Sequence, residues 1–157
     1  MDVIWSRTIK AMAAVGGAIA GAFGGWDKLL QVLAVMMAAD YVSGLVVAAM
    51  GKSQKTDWGG LSSKVGAIGL AKKGLMLLVV LIATSLDKAM GNATWIVRDM
   101  ACWFYIANEG LSLLENLDLA GVPFPAAVKK ILGTKKQEAE AMQDENNDKQ
   151  STDTPAE

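Results

Sequence analysis

The chain has 157 residues, of which 52% are apolar and 20% charged, and its formal net charge is −1. This length allows one domain, or one helical bundle with a tail, and the acids gathered near the C-terminus leave a body too apolar for a soluble domain of this size. With no His and a single Cys, Cys102, the sequence excludes an intrachain disulfide, a zinc site of the usual ligand types and a Ser-His or Cys-His catalytic pair.

Four apolar runs follow in chain order and predict an all-α, polytopic membrane protein. The sixteen Gly and nine Met suit such helices. The first run covers residues 11–25, or 8–26 with its flanks. Arg7 and Lys10 ahead of it also fit the charged region of a signal peptide. Because three more runs follow, an uncleaved first helix is the expectation. Gly17, Gly21 and Gly25 repeat every four residues beside a second stripe of Ala14, Ala18 and Ala22, a face that suits close helix packing. Packing within the chain and self-association fit this stripe equally. Trp26-Asp27-Lys28 then breaks the run.

The second run, residues 29–50, is long enough to cross a hydrocarbon core, which takes about 20 residues. Asp40 sits at its centre. A carboxylate at that depth costs roughly 2.5–3.5 kcal/mol and must therefore face protein or water. A polar loop, 51–63, leads to a third run at 65–86 that carries Lys72 and Lys73 in its first half. The purely apolar part, 74–86, is too short to span alone, so either the lysines snorkel to the near interface or the helix starts as an interfacial segment. The fourth run, 93–117, is the most polar, with Arg98, Asp99, Asn108, Glu109 and Glu115. Pro123 and Pro125 end it, and residues 126–132 read as a short surface helix. From Thr134 onward the chain has almost no large apolar residues and cannot offset its chain entropy, so disorder is expected. The expected division is a membrane domain at 1–133 and an acidic cytoplasmic tail at 134–157.

Four spans place Arg7 and Lys10, then Lys52, Lys55 and Lys64, then Lys129, Lys130, Lys135 and Lys136 on one side. The positive-inside rule makes that side, and both termini, cytoplasmic. At about 1.5 Å per residue, Lys73 and Glu109 fall at similar depth and are expected partners, as are Asp87 and Arg98 near the outer end. Asp40 has no partner at matching depth. Such groups either pair internally to specify one bundle or form a polar surface that becomes water-lined on assembly. Trp5, Trp26, Trp58 and Trp95 lie near the expected boundaries as interfacial anchors, whereas Trp103 and Cys102 are expected in packing. The lysine groups read as juxtamembrane charge beside anionic lipid, not as a nucleic-acid surface.

Three local patterns together resemble a known family. They are Asp40-Tyr41-Val42-Ser43-Gly44, Ser62-Ser63-Lys64-Val65-Gly66 leading through Gly69 to Lys72-Lys73, and Asn108-Glu109-Gly110-Leu111-Ser112 with Glu115-Asn116. Their order and spacing, over residues 29–133, are similar to the bacteriophage holin family that includes clostridial toxin-secretion holins. This resemblance implies a protein of the bacterial cytoplasmic membrane that accumulates, forms homo-oligomers and opens lesions. Through these an endolysin, needing no direct contact, or a secreted toxin gains passage. It also implies no catalytic site and no cofactor or metal. Asp40, Gly44, Gly66, Lys72, Lys73, Asn108, Glu109 and Glu115 are then assembly or structural residues. Some members make an inhibitor from an internal start, for which Met12 is the candidate here. The glycine-rich first run and the long acidic tail are less like the family. A second class stays open from the residues alone: a small channel or transporter subunit that uses Asp40 and Glu109 as an intramembrane carboxylate relay. A membrane enzyme is the weaker third, because no nucleophile–base pair can be assembled.

Overall fold

Each helix starts and stops where the side chains supply or withdraw hydrogen bonds. The computed structural model describes residues 2–91, 94–131, 133, 134 and 137. It contains α1 (Asp2–Ala22), α2 (Lys28–Ala49), α3 (Ser63–Ala89) and α4 (Ile96–Ala120), with no strand among the described residues. Asp27 caps α2 by accepting the Leu30 N–H at 2.9 Å. No side chain of its own caps α4. Instead the Asp87 carboxylate, at the end of α3, accepts the N–H groups of Val97 (3.2 Å) and Arg98 (2.9 Å), the donors that a helix start leaves unpaired. The chain is again helical at 126–131, after Pro123 and Pro125.

Two boundaries depart from the sequence reading. The first helix starts earlier and ends at Ala22, because Gly24 (φ 80°) and Gly25 (φ 112°) adopt left-handed backbone that only glycine takes without strain. Gly25 therefore belongs to a turn and not to the helix-packing stripe. Of the tail, only Thr134 and Gln137 are described, and both are helical, the Thr134 hydroxyl donating to the Lys130 carbonyl at 3.0 Å. Leu132, Lys135, Lys136 and residues 138–157 lie outside the described residues, so the expected disorder there does too.

The most extensive interface joins α2 to α4; α3 packs mainly on α4, and α2 and α3 barely touch. Contacts fix the directions. Asp27 meets Arg98, and Asp40 meets Asn116, so α2 and α4 run parallel. Lys73 meets Asp40, while Asp87 meets the start of α4, so α3 runs against both. Among the helices, α1 touches only α3, near its own C-terminal end, where Lys88 Nζ donates to the Gly21 carbonyl at 3.0 Å.

One spacing underlies the interior. Buried positions are Leu30, Leu33, Met37, Asp40 and Val47 on α2, and Lys73, Val80, Thr84 and Asp87 among those on α3. On α4 they are Arg98, Cys102, Glu109 and Asn116. Steps of three, four and seven residues keep each set on one face. The expected packing of Cys102 is met, and it lies in an apolar cluster with Leu33 and Val80. Trp103 is a correction: one residue on from Cys102, it turns to the outside and is 62% exposed.

The exterior is apolar while the interior is charged. Val35, Leu75, Leu78, Ile82, Met100 and Phe104 point outward, whereas Asp87 and Arg98 are 0% exposed and Glu109 is 2% exposed. Water would reward the opposite arrangement, since charges are almost never fully buried in soluble domains unless paired. Of the four expected spans, α2 and α3 are long and apolar enough to cross a membrane. Arg7, Lys10 and glycines dilute α1, and α4 carries five charged groups, among them Arg98, Asp99, Glu109 and Glu115.

Candidate functional site

The site is built where the three packed helices meet at mid-height. Asp40 lies twelve residues into α2, and Glu109 lies near the centre of α4. Lys73 reaches between them: its Nζ donates to Asp40 Oδ2 at 2.8 Å and to Glu109 Oε2 in a short bond. The expected Lys73–Glu109 contact is therefore present, and Asp40 gains the partner that depth counting had withheld from it. Measured from the helix ends next to the α2–α3 loop, Asp40 lies nine residues before Ala49 and Lys73 ten after Ser63, so their depths do match and the expectation that Asp40 lacks a partner is corrected. Lys73 does not snorkel. It is buried, its ammonium balanced by two carboxylates that carry one more charge than it neutralises.

Asn116 closes the cluster from the opposite side. Its Nδ2 lies 3.0 Å from Asp40 Oδ1, 3.2 Å from the Asp40 carbonyl and 2.9 Å from Ser43 Oγ, while Ser43 donates back to the Asp40 carbonyl at 2.9 Å. Gly44 makes this approach possible: a Cβ there would sit 3.6 Å from Asn116 Nδ2, so alanine fits and anything larger pushes the amide away. Thus both Asp40 oxygens are occupied, one by an ammonium and one by an amide.

Beside the cluster, the loose α2–α3 seam leaves a groove of about 510 Å³ that runs from the α2–α3 loop down to Asp40, Lys73 and Glu109. Gly44, Gly66, Lys72 and Asn108 line it. Gly66 faces Tyr41, whose hydroxyl would lie 3.5 Å from an added Cβ. Of the eight family-like positions, seven thus form the cluster or its groove. Glu115 is the one placed elsewhere, half-buried on α4.

A second charged cluster closes the other end of the bundle, about 16 Å along α4 from Glu109. The Arg98 guanidinium, expected to pair with Asp87, makes its ion pairs through Nη1 with Asp27 Oδ2 at 2.7 Å and Asp99 Oδ1 at 3.1 Å. Asp87 is engaged with the backbone of α4 because the positive end of that helix lies directly beneath it. Asp27 therefore ties two helix starts together, capping α2 with one oxygen and holding Arg98 with the other. The Arg98 contact, with the Leu30 N–H, keeps the Asp27 carboxyl below its ordinary value.

Ser43 and Asn116 stand inside the family-like patterns and Asp27 in the break before α2, but the sequence assigned none of the three a place in a charged cluster. Asn116 stands seven residues after Glu109, two helical turns along the same face, and that spacing was the available signal. Gly17 and Gly21, proposed for helix packing, face open space: an added Cβ at either meets nothing within 4 Å. Trp5, Trp26 and Trp58 are exposed, whereas Trp95 is half-buried against Gly24 and lies under Lys88.

A helical chain that turns apolar side chains outward and holds its charges inside has the construction of a membrane protein. It belongs to the bacteriophage holin family, whose model matches residues 17–137. It is 34% identical over 101 residues to the probable holin of Bacillus phage phi105, covering 64% of this chain and 69% of that one. It is 41% identical over 110 residues to an uncharacterized 14.9 kDa protein in the nagH 3' region of Clostridium perfringens, covering 70% and 78%. It is also 37% identical over 134 residues to the uncharacterized protein Lmo0128 of Listeria monocytogenes, covering 84% and 86%. No solved structure matches.

Proposed function

We propose that the chain is a phage holin of the bacterial cytoplasmic membrane. In this reading α1–α4 are four spans with both termini cytoplasmic, residues 1–133 form the membrane domain and 134–157 a cytoplasmic tail. Copies gather as a homo-oligomer and open lesions that release an endolysin or a secreted toxin. The observation that carries the reading is the buried Asp40–Lys73–Glu109 cluster beneath an apolar exterior. The charges of α4 do not argue against a fourth span, because Arg98 and Glu109 point inward while Met100, Trp103 and Phe104 point outward.

The mechanism follows from the cluster. While Lys73 holds both carboxylates inside one copy, the bundle sits harmlessly in lipid. The α2–α3 seam is the weakest of the three among α2, α3 and α4, and separating it exposes charged groups that hydrocarbon cannot solvate. Crowded copies relieve this by turning those faces toward a shared aqueous lumen. Asp40, Lys73 and Glu109 are then switch residues and not catalysts, with Gly44, Gly66, Lys72 and Asn108 around them.

Inducible expression in a bacterium, with and without a co-expressed endolysin, tests the reading through membrane potential and culture density. Abrupt depolarisation after a delay, with lysis only when the endolysin is present, is the expected result. Steady leakage from the moment of induction would replace it with the channel reading. Asp40→Ala, at equal protein level in the membrane, is expected to shift the time of lysis; unchanged timing would remove Asp40 from the switch.

A further inference from the structure

The groove has a second property that the lesion reading does not use. Its floor is charged, its walls are apolar through Leu45, Ile68 and Met76, and Lys55 and Lys72 lie along it. Both lysines are exposed, and among the described residues neither ammonium has an ion-pair partner. Lys72 is the more demanding of the two. It lies nine residues into α3, about 14 Å along the helix from Ser63, on a segment whose neighbours Leu70 and Leu75 face outward. Lys73, next to it, solves the same problem by turning inward to Asp40 and Glu109, and that leaves no carboxylate for Lys72.

We propose that this groove binds one anionic phospholipid, with the phosphate held between Lys55 and Lys72 and an acyl chain along Leu45 and Ile68. Three features favour a lipid as the occupant. The groove is open along the outer surface of the bundle, since Leu45, Leu61, Ile68 and Lys72 line it and are exposed. Its upper end is the α2–α3 loop, where exposed Trp58 marks the level at which an aromatic ring meets headgroups. A basic pocket between helices at that level complements a phosphate joined to a hydrocarbon chain. A lysine stem lies readily along a helix, which lets the Lys72 ammonium rise toward that phosphate while its methylenes stay in the apolar wall. Lys73 offsets one of the two carboxylate charges below this position, and Lys55 and Lys72 add two positive charges beside it, so the groove lining as a whole stays cationic.

The proposal rests on the membrane reading, and the test separates the two. Full-length protein is first floated with vesicles of phosphatidylcholine and phosphatidylglycerol; protein that stays at the bottom of the gradient overturns both. Protein that floats is extracted in mild detergent, and the lipid it retains is read by native mass spectrometry. Phosphatidylglycerol is expected as one retained molecule, with phosphatidylcholine lost. Lys72→Gln and Lys55→Gln are each expected to weaken retention about fivefold, the scale of one basic residue at an anionic surface, and Lys72→Arg is expected to restore it. Equal retention of the two lipids, unchanged retention in both Gln variants, or displacement of the lipid by soluble glycerol phosphate would overturn the lipid site and leave the membrane reading standing.

Discussion

The two charged clusters use the same chemistry in opposite settings. At the end of the bundle, Arg98 is wholly buried, but its partners Asp27 and Asp99 keep nearly half of their side-chain surface exposed. At mid-height, Lys73 and both its partners are enclosed, with side-chain exposures of 11%, 12% and 2%. The end cluster also joins backbone to side chain, since Asp27 and Asp87 each take up helix-start N–H groups. The Lys73 ion pairs at mid-height join side chains of three helices, across the weakest of the three seams among them. The first is therefore a staple whose carboxylates can turn to water; the second is a lock in which, among the described residues, Lys73 is the one cation that Asp40 and Glu109 meet.

The largest expected effect breaks the lock. Lys73→Ala leaves two buried carboxylates without a cation and is expected to destabilise the protein by about 3–5 kcal/mol. Thermal unfolding of purified protein in detergent measures this. Combining Lys73→Met with Asp40→Asn and Glu109→Gln is expected to restore most of the stability. If the triple variant is no better than Lys73→Ala, buried charge is not what the single change exposed.

Arg98→Gln is expected to cost less, about 1.5–3 kcal/mol, because the carboxylates it abandons reach water. An equal or larger loss than for Lys73→Ala would erase the distinction between staple and lock. Asn116→Ala is expected to cost about 1–2 kcal/mol and to lower the stability gained from Lys73 as well, since both hold Asp40. A double-mutant cycle that shows the two effects to be additive would disconnect Asn116 from the lock.

Acid should act on the staple. Asp27 has a depressed carboxyl, so its contribution is complete above the unfolded value of 3.8 and is lost as pH falls through the lower folded value. Relative to wild type, Asp27→Asn is expected to show a flatter stability profile below about pH 4. The smallest effect belongs to α1: Gly17→Ala and Gly21→Ala fill open space and are each expected to stabilise by no more than about 1 kcal/mol, the gain in helix propensity. A clear shift in lysis timing without a shift in stability would assign that face to contacts between copies.

Much of this was legible in the residues. Asp40 stands out in any hydropathy reading, and matching depths suffice to join Lys73 to Glu109. The pairing of Asp87 with the Arg98 guanidinium failed because a carboxylate near a helix start has backbone donors to satisfy first, and depth says nothing about them. Asn116 stood in a family-like pattern without a role, because its contacts with Asp40 and Ser43 join two helices 73–76 residues apart in the chain.

The residues alone specify the helices, the family and most of the inward positions. Apolar and polar residues recur at steps of three, four and seven, and a helix turns every such step to the same side. That same spacing selects Lys73 over Lys72, through Val80 and Asp87. The packing of the helices is what makes α4 central, parts α2 from α3 to leave a groove, and sets one lysine between two carboxylates. Those outcomes depend on how three helices of different length are set against each other, and no pattern within a single helix records that offset.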